Sequence, residues 1–270
     1  MQVCDVADEQ QVSAFAEQVR SAHDTAHIDL LINNAGISGG GSFVASDRDE
    51  WERVFSICWN GVYLMSRAFL PLLLESRDGH LVNMASANAL RAVLGGHVPH
   101  TAYSAAKFAV KGFTEAMVTN LRVSAPHVKA AVVMPGHIGT SIALNTSQVH
   151  GKGTALDMSA EEVALMRQRM SEQGLPVDNL PDDDIRKAVH QRGVEFRDNA
   201  PTTAAQAAEI ILDGVRNDRW RILVGEDAHR LDRLVREFPE EAYELSFLEK
   251  LADQNVFERM ATMSSNQEQA

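Results

Sequence analysis

Four short apolar runs, each followed or preceded by a stretch of helical spacing, most restrict what this chain can fold into. Residues 28–32, 81–85, 128–134 and 220–225 are mostly apolar and too short for helices. Runs of that kind read as strands buried on both faces of a sheet. Between them, Val12, Phe15, Ala16 and Val19 recur at helical spacing, with Asp8 and Glu9 suited to a first turn. Trp51, Val54, Phe55, Cys58, Val62, Met65 and Phe69 do the same, and Ser46 with Asp49 has the form of a capping box at the start. Strands that alternate with helices are joined by crossovers rather than hairpins, so the pattern predicts a doubly wound parallel α/β sheet in one domain. A further piece, Val3-Cys4-Asp5-Val6, reads as the tail of another buried strand. No internal repeat or interdomain linker interrupts the 270 residues.

Charge and cysteine content exclude several partners. A formal charge of −12 argues against nucleic acid and against an anionic membrane surface. Only Cys4 and Cys58 are present, too few for a disulfide framework, which fits a reducing, cytoplasmic compartment. No uninterrupted stretch reaches the roughly 18 apolar residues of a membrane span.

The chemistry concentrates around residues 86–107. Tyr103 and Lys107 stand four apart in a helical run, so both fall on one helix face. A phenol is a poor base at neutrality, and an ammonium beside a phenol favours the phenolate. Ser86 follows the 81–85 strand, at the end of the strand where ligands bind in open α/β sheets. Hydroxyl, phenol and ammonium together suit proton transfer to and from an alcohol or carbonyl oxygen. Tyr and Lys at this spacing are common by chance. Their company is not: Asn33-Asn34-Ala35-Gly36 follows one strand, Asn60 interrupts the long apolar helix, and Pro135-Gly136-His137-Ile138-Gly139-Thr140 follows another strand.

In that order, over about residues 3–225, these pieces resemble the classical short-chain dehydrogenase/reductase family. The resemblance implies a Rossmann-like sheet and NAD-dependent or NADP-dependent interconversion of a small-molecule alcohol and a ketone or aldehyde. It implies that Tyr103 moves the proton, Lys107 activates the phenol and binds the nicotinamide ribose, Ser86 holds the substrate oxygen, and Asn60 relays the proton to water. Asn33, Ala35 and Gly36 would lie in the turn against the cofactor, and Asp5, followed by Val6, would contact the adenine. Pro135 and Gly136 would pass under the nicotinamide, the backbone of Ile138 would bind the carboxamide, and the Thr140 hydroxyl would reach the pyrophosphate. Residues 141–200 would be the variable substrate lid of a domain spanning 1–250, with 251–270 a C-terminal tail. The lid contains Met158, Met166 and Met170, which suggest a fairly large apolar substrate, although such methionines are more often core. The 47–75 and 101–120 helices carry apolar residues on more than one face: Trp59, Tyr63, Phe69 and Leu73, then Phe108, Phe113 and Met117. In the family they form a four-helix interface, which implies a homodimer or homotetramer.

Other readings compete. Gly36-Ile37-Ser38-Gly39-Gly40 has the form of a hydrolase nucleophile elbow, but a strand–turn–helix frame is required and more glycine and a polar loop follow. His97 and His100 lack a Cys or carboxylate cluster, so no metal is expected. A silent family member that binds without turning over is a third possibility. The sequence also contains no glycine-rich strand–turn–helix such as holds the pyrophosphate in the family. The expected sheet therefore lacks its first two strands and helices, with the residue that selects NAD or NADP among them. On this reading Met1 is internal to a frame longer by roughly 50–60 residues, the length of a βαβα opening. The 270-residue form would then bind dinucleotide poorly and be prone to aggregation, and it would act, if at all, as a binding or oligomerisation partner.

Overall fold

A computed structural model describes residues 2–44, 47–94, 99–172, 175–254 and 256. Helix α1 (Glu9–His23) starts where the Asp8 carboxylate accepts the amides of Gln10 and Gln11, and it ends at Asp24 in the left-handed region. Strand β1 (Leu30–Asn33) leads to α2 (Arg48–Phe55), a π turn (Ser56–Asn60) and α3 (Gly61–Leu74), which form one helical run. Then come β2 (Gly79–Met84), α4 (Thr101–Ser124), β3 (Val128–Pro135), a short β4 (Ile138–Gly139) and α5 (Ile142–Val149). The chain continues through α6 (Ala160–Glu172), α7 (Asp182–Asp198), β5 (Thr202–Thr203), α8 (Ala204–Arg216), β6 (Arg221–Val224), α9 (Glu226–Glu237) and α10 (Leu245–Asp253).

The main sheet has the order β1-β2-β3-β6, parallel throughout. Its register pairs Asn33 with Asn83, Met84 with Val133, and Pro135 with Val224, so the carboxyl ends of the strands are brought to one edge. A separate two-stranded piece pairs β4 with β5. Helices cover both faces. Leu31, Leu81 and Val128 pack against Phe69, Leu73, Val118 and Leu121 of α3 and α4 on one side. Val82, Val133 and Ile222 meet Ala207 of α8 on the other. Each such side chain contributes about 1.5–3 kcal/mol over its exposed state. The predicted Rossmann-like parallel sheet is thus present.

Several expectations change. Val3, Cys4, Asp5 and Val6 form no strand, because no strand among the described residues lies beside them to complete a ladder. Strand β1 is instead an edge, and Leu30 and Ile32 on its uncovered face are 39% and 38% exposed. Ser46 lies outside the described residues, and α2 is capped by the Asp47 carboxylate accepting from Asp49 N at 3.2 Å. Phe69 and Leu73 belong to the core rather than to an outer face, whereas Tyr63 and Phe108 are exposed. The lid methionines chiefly form a core of their own: Met170 is buried with Val163, Val177 and Ile185, with Met158 and Met166 against them. Helices α5 and α7 fill a segment whose polar, Asp-rich sequence shows little periodicity.

By length and a mean hydropathy of 1.3, Arg48–Leu74 is apolar enough to cross a membrane. A count of consecutive apolar residues overlooks this because Asn60 and Arg67 interrupt the run. Inside the fold its apolar side chains have a use, since Val54, Val62, Phe69 and Leu73 are all core.

Candidate active site

Lys107 is the centre of the carboxyl edge. It projects from α4, is only 4% exposed, and donates from Nζ to the Met84 carbonyl at the end of β2, 2.8 Å away. The same nitrogen lies 5.5 Å from the centroid of the Tyr103 ring, one helical turn earlier. A methyl built on Gly36 would come to 3.6 Å from Lys107 Nζ and 3.7 Å from Cys58 Sγ, so Gly36 adjoins the amine at contact distance. Burying an amine is costly unless it is paired, and here the strand-end carbonyl supplies the partner. Tyr103 is half-buried, against a cluster that contains Ile37, Val54, Ile57, Cys58, Ala102 and Ala106.

Ser86 follows β2 and caps a short 3-10 turn. Its Oγ accepts from Asn88 N at 3.2 Å and donates to Asn88 Oδ1 at 3.4 Å. Asn88 Nδ2 in turn donates to Ser104 Oγ at 3.2 Å and to the Ala92 carbonyl at 3.3 Å. One amide therefore fastens the serine loop to the residue next to Tyr103. The loop is anchored again at Arg91, whose Nε donates to the Ala242 carbonyl at 2.5 Å. Its guanidinium lies 5.5 Å from the Tyr243 ring centroid and 5.3 Å from that of Phe247. Burial pushes the Arg91 pKa down. Asn88, Arg91, Tyr243 and Phe247 were not found from sequence, because no motif marks them and their contacts join distant segments.

The other predicted positions divide. Asn33 is buried and donates to Ser66 Oγ at 2.9 Å and Asn83 Oδ1 at 2.8 Å, with Asn83 donating onward to Thr114. Its side chain braces three elements beneath the edge. Ala35 is exposed and Gly36 half-exposed, on the open side of that turn. Asn60 closes the π turn and is exposed, its Nδ2 on Ser56 Oγ at 3.3 Å, and the structure gives it no bond to Lys107. Asp5 accepts from Ala7 N at 3.0 Å, and Val6 packs on Gly61. Pro135 and Gly136 end β3, Ile138 is buried opposite Thr202, and Thr140 N donates to the Ile138 carbonyl at 2.8 Å. The Gly36–Gly40 loop leads into no helix; Ser38 is bonded to Thr146 of α5 at 3.0 Å, so the elbow frame of a hydrolase is missing. His97 lies outside the described residues. His100 immediately precedes α4, with its pKa lowered by burial.

The fold is a doubly wound parallel α/β sheet, with Lys107 bonded to the end of β2, Tyr103 one turn before it on α4, and Ser86 following β2. Residues 1–150 match the family described as short chain dehydrogenase. SadH of Mycobacterium tuberculosis, provisionally named an oxidoreductase, is 33% identical over 232 residues, which are 86% of this chain and 70% of SadH. The 3-ketodihydrosphingosine reductase of Bacteroides thetaiotaomicron is 34% identical over 146 residues, 54% of this chain and 51% of that protein. A short chain dehydrogenase/reductase from Burkholderia phymatum, solved in complex with NAD, has the same fold at TM-score 0.61 and 24% identity, covering 88% of this chain and 74% of that one. The chain belongs to the short-chain dehydrogenase family.

Proposed function

We propose that this protein is an NAD(P)-dependent oxidoreductase that interconverts an alcohol and a ketone or aldehyde. The observation that carries this reading is Lys107, buried at the end of β2, beside Gly36 and one turn from Tyr103. Tyr103 gives a proton to the carbonyl oxygen or takes it from the alcohol. Lys107 holds the proton donor poised and binds the ribose. Ser86 orients the substrate oxygen, and Asn60 relays the proton to water. The residues present fit a nicotinamide: the Lys107 amine and Gly36 adjoin each other at the end of β2, and the 135–140 turn follows β3 at the same edge. Bound there, the nicotinamide supplies or accepts the hydride. Asn33, Ala35 and Gly36 would border it, Asp5 and Val6 would contact the adenine, and Pro135, Gly136, Ile138 and Thr140 would hold its other half.

A screen of alcohols, ketones and esters with and without NAD(P)H tests the reading. Turnover is expected of alcohols and ketones only, and only with cofactor. Ester cleavage without cofactor would replace the reading by a hydrolase, and cofactor binding without turnover by a silent member. A second reading, a catalytically impaired form that acts as a binding partner, is favoured by the apolar Leu30 and Ile32 exposed along β1. Absence of both binding and turnover would select it.

We further propose a homodimer, or a tetramer of dimers, in the cytoplasm. Tyr63 and Phe108 stay exposed on α3 and α4, and a methyl on Gly112 of α4 would meet nothing within 4 Å. Glycine inside a helix costs about 0.5–1 kcal/mol, and close approach of another surface there would explain it. Light scattering at micromolar concentration should give a dimeric or tetrameric mass; a monomeric mass would refute the assembly.

A further inference from the structure

Asp227 is the second residue of α9 and is 7% exposed. Its described hydrogen-bond partners are two main-chain amides: Oδ2 accepts from His137 N at 2.6 Å and Oδ1 from Ala228 N at 2.9 Å. Among the described residues no cation forms an ion pair with it. The carboxylate lies between two glycines. A methyl on Gly136, at the end of β3, would fall on the carboxylate itself, and one on Gly225, just past β6, would crowd Oδ1. Those two strand ends are paired, with Gly136 N donating to the Val224 carbonyl at 2.9 Å. Gly225 also takes φ 95°, a conformation that other residues rarely adopt.

A buried carboxylate held only by amides and a helix N-terminus is costly unless those donors are fixed in place. What the arrangement fixes is the Gly136–His137 peptide, one residue before Ile138. Its amide nitrogen, that of His137, is held from α9 by Asp227. The His137 ring is held from α7, with Nε2 at 2.7 Å from the Phe196 carbonyl and the two rings 4.3 Å apart between centroids. The turn that would receive the nicotinamide carboxamide is thereby clamped from two sides.

We infer that Asp227 is a positioning residue for the 135–140 turn, holding the His137–Ile138 backbone in the orientation that docks the nicotinamide half of the cofactor. This inference rests on the dehydrogenase reading. The experiment compares wild type with Asp227→Asn, which keeps the volume and removes the charge. The first readout is amide hydrogen exchange without cofactor: His137 should exchange roughly ten- to a hundredfold faster in the variant, as expected for loss of a charge-assisted hydrogen bond. Amides of β2 and β3 should be unchanged. The second readout is calorimetric affinity for NAD+, NADP+ and ADP-ribose. The variant should lose about tenfold or more for the dinucleotides and nothing for ADP-ribose, which lacks the nicotinamide. Unchanged exchange at His137, or equal losses for ADP-ribose and dinucleotide, would overturn the inference and leave the function standing. A wild type that binds neither dinucleotide would overturn the dehydrogenase reading, and the inference with it. Should the variant fail to fold, wild-type exchange decides: strong protection at His137 supports the clamp, and open-loop rates refute it.

Discussion

Replacing Tyr103 by Phe should lower turnover by about 10²–10⁴-fold, the range that general acid–base catalysis contributes. The substitution removes the hydroxyl and keeps the ring, and the ring is what the structure packs, against Val54, Ile57, Cys58 and Ala106. Stability should therefore change little, so that lost activity cannot be ascribed to unfolding. Steady-state kinetics on a substrate found in the screen, with a thermal melt of both proteins, give the result. Turnover within several-fold of wild type would remove Tyr103 from the mechanism. The Lys107 nitrogen would keep its bond to Met84 in the variant, which confines the change to the phenol.

Replacing Phe247 by Ala should destabilise the protein by about 3–5 kcal/mol, the usual cost of emptying a buried aromatic site. Phe247 is fully buried among Leu231, Leu234, Ala242 and Leu251, and its ring faces the Arg91 guanidinium at 5.3 Å. That loss is a large part of a typical total of about 5–15 kcal/mol. Urea unfolding would measure it, and a change below about 1 kcal/mol would contradict the packing described. Arg91 joins the serine loop to the segment around residue 242, so the same change should also loosen the loop that carries Ser86. Residues near the C-terminal end of the described chain thus bear on the site as well as on stability.

Whatever depended on local pattern was legible in the sequence. β2, β3 and β6 showed as apolar runs bounded by glycine or proline. Thr203 and Gln206 have the spacing of a capping box, and both reciprocal bonds are formed at the start of α8. The convergence of Tyr103 and Lys107 followed from helical spacing alone. Features made by partners far apart in sequence stayed hidden. Asp227 looks like any acid in a helix's first turn, and only the fold brings the His137 amide to it, 90 residues away. Val3–Val6 failed for a related reason: four apolar or small residues suggest a strand, but a strand exists only where a neighbour completes its ladder. Asn60 was singled out by its place in the chain, and its amide turns to Ser56.

The π turn at Ser56–Asn60 makes the helical run from Arg48 to Leu74 behave as a crankshaft. A regular α-helix advances about 100° per residue, so residues on one face recur at a fixed spacing along the run. A π turn adds a residue to a single turn and offsets everything beyond it. Val54 before the π turn, and Ile57 and Cys58 within it, look towards Ile37 and the start of α4; beyond it, Val62 meets Ala85 and Val132, and Phe69 meets Leu31 and Leu81. One rod therefore serves both the Ile37 loop with the start of α4 and the sheet beyond them. Deleting one residue within the π turn would return it to regular α spacing and keep both sets of contacts, whereas deleting one elsewhere in the run would turn one set away.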